Sequence, residues 1–211
     1  MKLHADPRMA EFVRRLLERN ARMNLTGARS DAAVAEHIED ALSLVPFIAP
    51  PYVDVGSGGG FPAIPLAIAT GVRTTMVEAT AKKAEFLREM VDGLALDAEV
   101  VVDRAERVAR DLEYRERYGS ATARGVGGVA TVLELMLPLL QLGGVAILQR
   151  GAPDLNEPRI LADASLALGG RLEAEHTVRG GRRILLVRKV EQTSARFPRR
   201  VGLPEKRPLC R

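Results

Sequence analysis

Residues 52–69, YVDVGSGGGFPAIPLAIA, place four glycines in five positions, 56–60, between a run of strand-forming residues and a helix opened by proline. Glycine loses more backbone freedom on ordering than any other residue, so such a cluster does not belong inside a regular element. It fits a tight strand-to-helix turn at which the main chain must approach something closely. The rest of the chain has to be compatible with that junction.

The pattern around it alternates. Strands are expected at 52–55, 73–78, 98–102, weakly near 120–123, and at 144–149. Helices are expected at 62–70, 80–95, from about 104, at 128–141 and at about 154–168. The segments RLEAEHTV and RRILLVRKV, joined by RGG, read as a closing hairpin. Strands alternating with helices imply an α/β fold: a mostly parallel sheet covered on both faces, here ending in an antiparallel hairpin. Ahead of it, residues 6–23 read as an amphipathic helix with Asp6 as N-cap and Pro7 in its first turn; Phe12, Val13, Leu16 and Leu17 form its apolar face. A second helix starts near Asp31, with Val34, Ile38, Leu42 and Val45 at helical spacing. The organisation is therefore an N-terminal helical extension (1–48), a main α/β domain (49–190) and a basic carboxyl segment (191–211), folded as one unit.

Composition removes several classes of function. No apolar run approaches the ~20 residues that span a bilayer, and the first residues lack the apolar stretch of a signal peptide. The only cysteine, Cys210, excludes an intramolecular disulfide and a cysteine-clustered zinc site, and suits a cytoplasmic protein. His4, His37 and His176 show no metal-ligand spacing, so no metal is expected. Of the net charge of +4, the stretch from Arg188 to Arg211 carries +6 (eight Lys/Arg against Glu191 and Glu205) and the remainder −2. A terminal basic excess suits phosphate contacts.

Spacing narrows the ligand of the glycine turn. A dinucleotide fingerprint G-x-G-x-x-G beginning at Gly56 requires glycine at 61, where the chain has Phe61. Instead, an acidic strand residue is followed by every second glycine: Asp54, Gly56, Gly58, Gly60. That is the S-adenosylmethionine pattern of the class I, Rossmann-like methyltransferase fold. Glu78 ends the second strand, where a carboxylate can accept from both ribose hydroxyls. DRAE (103–106) follows the third, where an acidic loop can meet the adenine amino group.

Taken together, NLTG (24–27), HIEDAL (37–42), DVGSGGGFPAIPLAI, EATAKKAEFL, TARGV and FPRRVGLPEKRPL resemble the small-subunit ribosomal RNA guanine-N7 methyltransferases, the RsmG or glucose-inhibited division protein B family. The resemblance runs nearly end to end. It implies a seven-stranded class I methyltransferase fold, S-adenosyl-L-methionine as donor and a guanine of 16S rRNA as acceptor, with a monomer expected. Carried over by position, it places cofactor contacts at Gly56, Phe61, Glu78, Ala79, Thr80, Ala105, Glu106 and Arg124. Arg124 is also the candidate that positions the base, by gripping O6 or a phosphate; a salt bridge to Glu106 or Glu78 is the alternative. Arg150 stands where the family usually has lysine. Arg150, Arg196, Arg199, Arg200, Lys206 and Arg207 are the candidate RNA-binding side chains. Gly119 and Ser120 depart from the family pattern and weaken the fourth strand. APPY (49–52) only partly matches the turn of exocyclic-amine methyltransferases and reads as a strand-entry turn.

N7 of guanine carries an in-plane lone pair and no proton, so the chemistry asks for no general base. His37 and Asp40 then read as a structural pair on one face of the second helix, with the NLT residues bracing or capping that helix. Two other readings stay open. A methyltransferase of small molecules or proteins would leave residues 191–211 dispensable, and an RNA-assembly protein would bind the cofactor without turnover.

Overall fold

Short strands buried on both faces dominate the centre of the molecule. The structure is a computed structural model that describes residues 6–153 and 155–210. His4, the first residue of the expected 154–168 helix and Arg211 lie outside the described residues. Seven strands run in the order β3-β2-β1-β4-β5-β7-β6: β1 (Tyr52–Val55), β2 (Thr74–Val77), β3 (Ala98–Val101), β4 (Tyr118–Ala123), β5 (Leu140–Arg150), β6 (Gly170–Val178) and β7 (Arg182–Lys189). Five are parallel neighbours, and β7 inserts antiparallel between β5 and β6. The order in which strands are added reverses between β1 and β4, which are parallel, so the crevice beyond their carboxyl ends is where a ligand binds in such folds.

The period of two along each strand sorts the core. Tyr52, Met76, Ile147 and Ile184 face one layer, while Val53, Val77, Leu148 and Leu185 face the other. The first layer holds helices α1 (Pro7–Asn20), α2 (Asp31–Leu42), α3 (Ala63–Thr70) and α4 (Ala81–Gly93), with Phe12, Leu16, Ile64 and Phe86 fully or almost fully buried. The second holds α5 (Ala105–Val108), α6 (Val129–Met136), α7 (Glu157–Ala167) and the carboxyl segment with α8 (Leu203–Lys206), anchored by Phe197.

Several expected boundaries move for local reasons. α1 is capped by Asp6, whose carboxylate accepts from the Arg8 backbone N–H at 2.9 Å. α2 ends at Leu42, before Pro46 could enter it, and Val45 falls in a 3-10 turn. The expected 128–141 helix stops at Met136 because Pro138 opens a 3-10 turn, and β5 starts at Leu140. The fourth strand corrects the sequence reading: all six of its residues are buried. A Cβ on Gly119 would lie 2.5 Å from the Pro50 carbonyl oxygen, and the Ser120 hydroxyl donates to the Ala49 carbonyl (2.7 Å) and accepts from its N–H (3.0 Å). These two residues fit the strand against the Ala49–Pro51 turn rather than weakening it.

Candidate functional site

The glycine turn joins β1 to α3 at the switch point. Gly56 has φ +73°, and a Cβ there would stand 2.7 Å from Val126 Cγ2. Any side chain would therefore fill the crevice between the β1 and β4 turns. Gly59 has a different reason: a Cβ would meet the Leu25 carbonyl oxygen at 2.9 Å, so the 24–28 loop lies directly on the glycine turn. That loop is organised by Asn20, the last residue of α1. Its amide is buried and makes four bonds, donating to the carbonyls of Thr26 and Ala28 and accepting from the N–H of Leu25 and Thr26. Ser30, not the NLT residues, caps α2, accepting from the Ala33 N–H.

Two cavities meet at Gly56 and Glu78. One, of about 220 Å³, has apolar walls from Val55, Val77, Val126 and Leu135 and is bordered by Ala79, Thr80, Asp103, Arg104, Ala105 and Glu106. Thr131, Pro204 and Glu205 complete it. The other, of about 360 Å³, is lined by the glycine turn, Phe61, Leu25, Thr26, Gly27, His37, Lys83 and Arg124. The Glu78 carboxylate is buried, 6% exposed, and each oxygen holds one backbone donor: Gly58 N–H at 2.9 Å and Thr80 N–H at 2.7 Å.

Asp54 and Gly60 line neither cavity. Asp54 is fully buried beneath the turn, where its Oδ1 accepts from Thr122 Oγ1 at 2.6 Å and Oδ2 has no partner. Burial pushes its carboxyl up to about 7, with the Thr122 and Ser57 hydrogen bonds opposing. Glu106 borders the first cavity, but its Oε1 accepts from the Gly202 N–H at 2.7 Å. That bond ties the acidic loop to the carboxyl segment.

Arg124 takes neither Glu106 nor Glu78 as a salt-bridge partner. Its Nη2 donates to His37 Nδ1 at 2.6 Å, and its Cζ stands 5.8 Å from the Phe61 ring centroid, within cation–π range. Its Nη1 is buried without a partner. Burial lowers the guanidinium from its ordinary value, but the group stays cationic at neutral pH. The expected His37–Asp40 pair does not form: Asp40 pairs with Arg182 on β7, while His37 turns to Arg124 and lies edge-on to Phe61. A long-range partner wins each residue, because the turn after β4 brings Arg124 to His37 and the start of β7 brings Arg182 to Asp40.

The basic candidates divide. Arg196, Arg200, Lys206 and Arg207 are exposed. Arg199 instead grips the fully buried Glu134 through Nε and Nη2 at 2.8 and 2.7 Å, and its backbone N–H donates to the same carboxylate at 2.8 Å. Arg150 bonds Glu157 and the Gly127 carbonyl. The carboxyl segment is thus part of the body, and Pro204 and Glu205 belong to the site although no spacing in the sequence marks them. Lys83, inside EATAKKAEFL but not singled out there, and Thr131 also line the cavities, and among the described residues no His/Cys/Asp/Glu cluster could hold a metal ion.

A family model described as rRNA small subunit methyltransferase G matches residues 6–186. A relative of that name from Pelotomaculum thermopropionicum is 40% identical over 212 residues, 94% of this chain and 88% of the relative. Another, from Chloroflexus aggregans, is 38% identical, covering 98% and 91%. Among solved structures, an O-methyltransferase from Bacillus cereus in complex with SAH shares the fold at TM-score 0.61 and 20% identity, over 85% of this chain and 91% of that one. M. jannaschii TYW2 in complex with AdoMet does so at TM-score 0.53 and 18% identity, over 72% and 73%. The architecture is that of class I methyltransferases. The chain therefore belongs to the rRNA small subunit methyltransferase G family.

Proposed function

We propose that this methyltransferase moves a methyl group from S-adenosyl-L-methionine to N7 of a guanine in 16S rRNA, acting as a single chain in the cytoplasm. The observation that carries the reading is the bonding of Glu78. A carboxylate offers about four lone-pair sites. Gly58 and Thr80 take two, which leaves the two that a ribose diol requires. The nucleoside then occupies the cavity beside Ala79, Thr80 and Ala105, and its methionine end runs past Gly56, where no Cβ obstructs it.

When bound, the cofactor supplies an electrophilic methyl group on a cationic sulfur. The protein's own residues need only orient the acceptor and keep water out, which is worth roughly 7–11 kcal/mol where geometry is favourable. Arg124 supports this as a cation lining the outer cavity, a donor suited to guanine O6 that leaves the N7 lone pair free. His37 Nδ1, already accepting from Arg124, is engaged rather than poised as a base. The exposed Arg196, Arg200, Lys206 and Arg207 suit the RNA backbone.

The test is to incubate the protein with labelled S-adenosylmethionine and small ribosomal subunits, then map N7-methylguanine by chain cleavage. Label at one guanine is the expected result. Label on protein or on another base position overturns the reading.

A further inference from the structure

The larger, outer cavity holds more positive charge than the cofactor offsets. Among the residues that line it, Glu78 brings the one carboxylate, and Lys83 and Arg124 bring cations. Arg124 is already engaged, donating to His37 Nδ1 and lying against the Phe61 ring. Lys83 is not. It sits in the first turn of α4, half-buried, and among the described residues it has no carboxylate partner; Glu89, farther along that helix, pairs with Arg19. The loop at 25–27 lines the same cavity and adds a neutral donor. Thr26 Oγ1 accepts from the Ala28 N–H at 3.2 Å, which leaves the hydroxyl its own proton to give. The buried Asn20 amide holds this residue in place through its N–H and its carbonyl.

S-adenosylmethionine does not balance these charges. Its methionine end has one carboxylate against two cationic groups, the ammonium and the sulfonium, so binding it adds net positive charge beside Lys83 and Arg124. Like charges gathered in a partly enclosed site repel, and a further anion relieves them. A nucleotide of RNA brings that anion with its base. We propose that Lys83 binds a backbone phosphate flanking the target guanine, which anchors the nucleotide in the outer cavity while its base meets Arg124. The inference rests on the proposed RNA substrate. The division of labour fits the two side chains: a planar guanidinium presents a fixed fork to a base edge, whereas an ammonium on a flexible stem is a point charge that accepts a phosphate from many directions. Unlike the exposed cations of the carboxyl segment, Lys83 makes this contact inside the site, next to Glu78 and the glycine turn.

The test compares the full-length protein with Lys83→Met, which keeps the apolar stem on α4 and removes the charge. Binding to small ribosomal subunits across a salt series should weaken by about tenfold at physiological salt, one charged hydrogen bond's worth. The slope of log affinity against log salt should shrink by roughly 0.7–0.9, one phosphate contact. In turnover, kcat/KM for subunits should fall by a similar factor, carried mainly by KM, because the phosphate is held both before and during transfer. The Kd for S-adenosylhomocysteine should stay within about twofold of wild type. Lys83→Arg, which keeps the charge, should restore the slope and most of the affinity. Unchanged affinity and slope in Lys83→Met overturn the assignment and leave Lys83 a solvated cation. A loss of S-adenosylhomocysteine affinity with the RNA slope unchanged overturns it too, by giving Lys83 to the methionine carboxylate. In both of these cases the wild-type protein still methylates subunits, so the RNA reading survives. A wild-type protein that neither binds subunits nor transfers methyl groups to them defeats that reading, and the phosphate site with it.

Discussion

Gly56 and Glu78 border both cavities, yet each cavity is closed by a different end of the chain and the charges around the two differ in sign. The inner cavity, proposed to take the nucleoside, has carboxylates from Glu78, Asp103, Glu106 and Glu205 beside one arginine, Arg104, and is completed by the carboxyl segment. The outer cavity has Lys83, Arg124 and His37 against Glu78 alone, and is completed by the 25–27 loop of the amino-terminal unit. Acids suit a ligand rich in hydroxyl and amino donors, and cations suit a polyanion. One sheet junction thus supplies the shared wall, the segments that follow β2, β3 and β4 supply most of the charge that makes its sides chemically different, and a terminal extension closes each side.

The division can be broken at the shared wall first. Glu78→Ala leaves the Gly58 and Thr80 N–H groups without their acceptor, and hydrogen bonds to a charged group are worth about 1.5–3 kcal/mol each. Calorimetric titration with S-adenosylhomocysteine should show affinity reduced about a hundredfold or more; a change under about fivefold would remove Glu78 from the centre of the site. Next, Arg124→Ala should lower kcat on saturating subunits by about thirtyfold, one charged hydrogen bond's worth. Turnover near the wild-type rate with RNA bound would show that Arg124 does not position the base.

A third difference is in pH. Burial, and secondarily the Arg124 charge, hold His37 below its ordinary 6.5. Since an arginine can only donate, Nδ1 must be unprotonated to accept from it. The native fold favours the neutral ring, so this contribution is complete above about 6.5 and is lost as pH falls through the lower folded value. Turnover should therefore drop on acidification below that range, and His37→Gln, which keeps an acceptor, should flatten the acid limb. Cofactor binding to the RNA-free protein should vary less over the same interval. The smallest effect concerns the outer surface. Replacing Arg200, Lys206 and Arg207 by alanine should reduce the slope of log affinity for RNA against log salt by roughly 0.7–0.9 per lost phosphate contact. An unchanged slope would place RNA elsewhere.

The alternation of strands and helices and the glycine turn were legible because they are local: period two, period 3.6 and the missing side chains are all written in neighbouring residues. Glu78 was legible for the same reason, at the end of a strand. The partners of His37, Asp40, Arg150 and Arg199 were not, because each is chosen by an element far along the chain. Arg199 looks like one more cation in a basic tail until Glu134, on α6 and without solvent, is found beneath it. For the same reason deletion of 191–211 is not a clean test of the proposed RNA contacts, since it also removes Pro204 and Glu205 from the wall of the inner cavity. Gly119 and Ser120 read as poor strand residues only while the Ala49–Pro51 turn that they fit is out of view.

The most direct measurement is a crystal structure with S-adenosylhomocysteine bound. The ribose hydroxyls should donate to the two oxygens of Glu78 while Gly58 and Thr80 keep their bonds, with the adenine toward Pro204 and the amino-acid end passing Gly56 toward Arg124. A nucleoside lodged among His37, Lys83 and Arg124, or a ribose that does not touch Glu78, would contradict the division of the site.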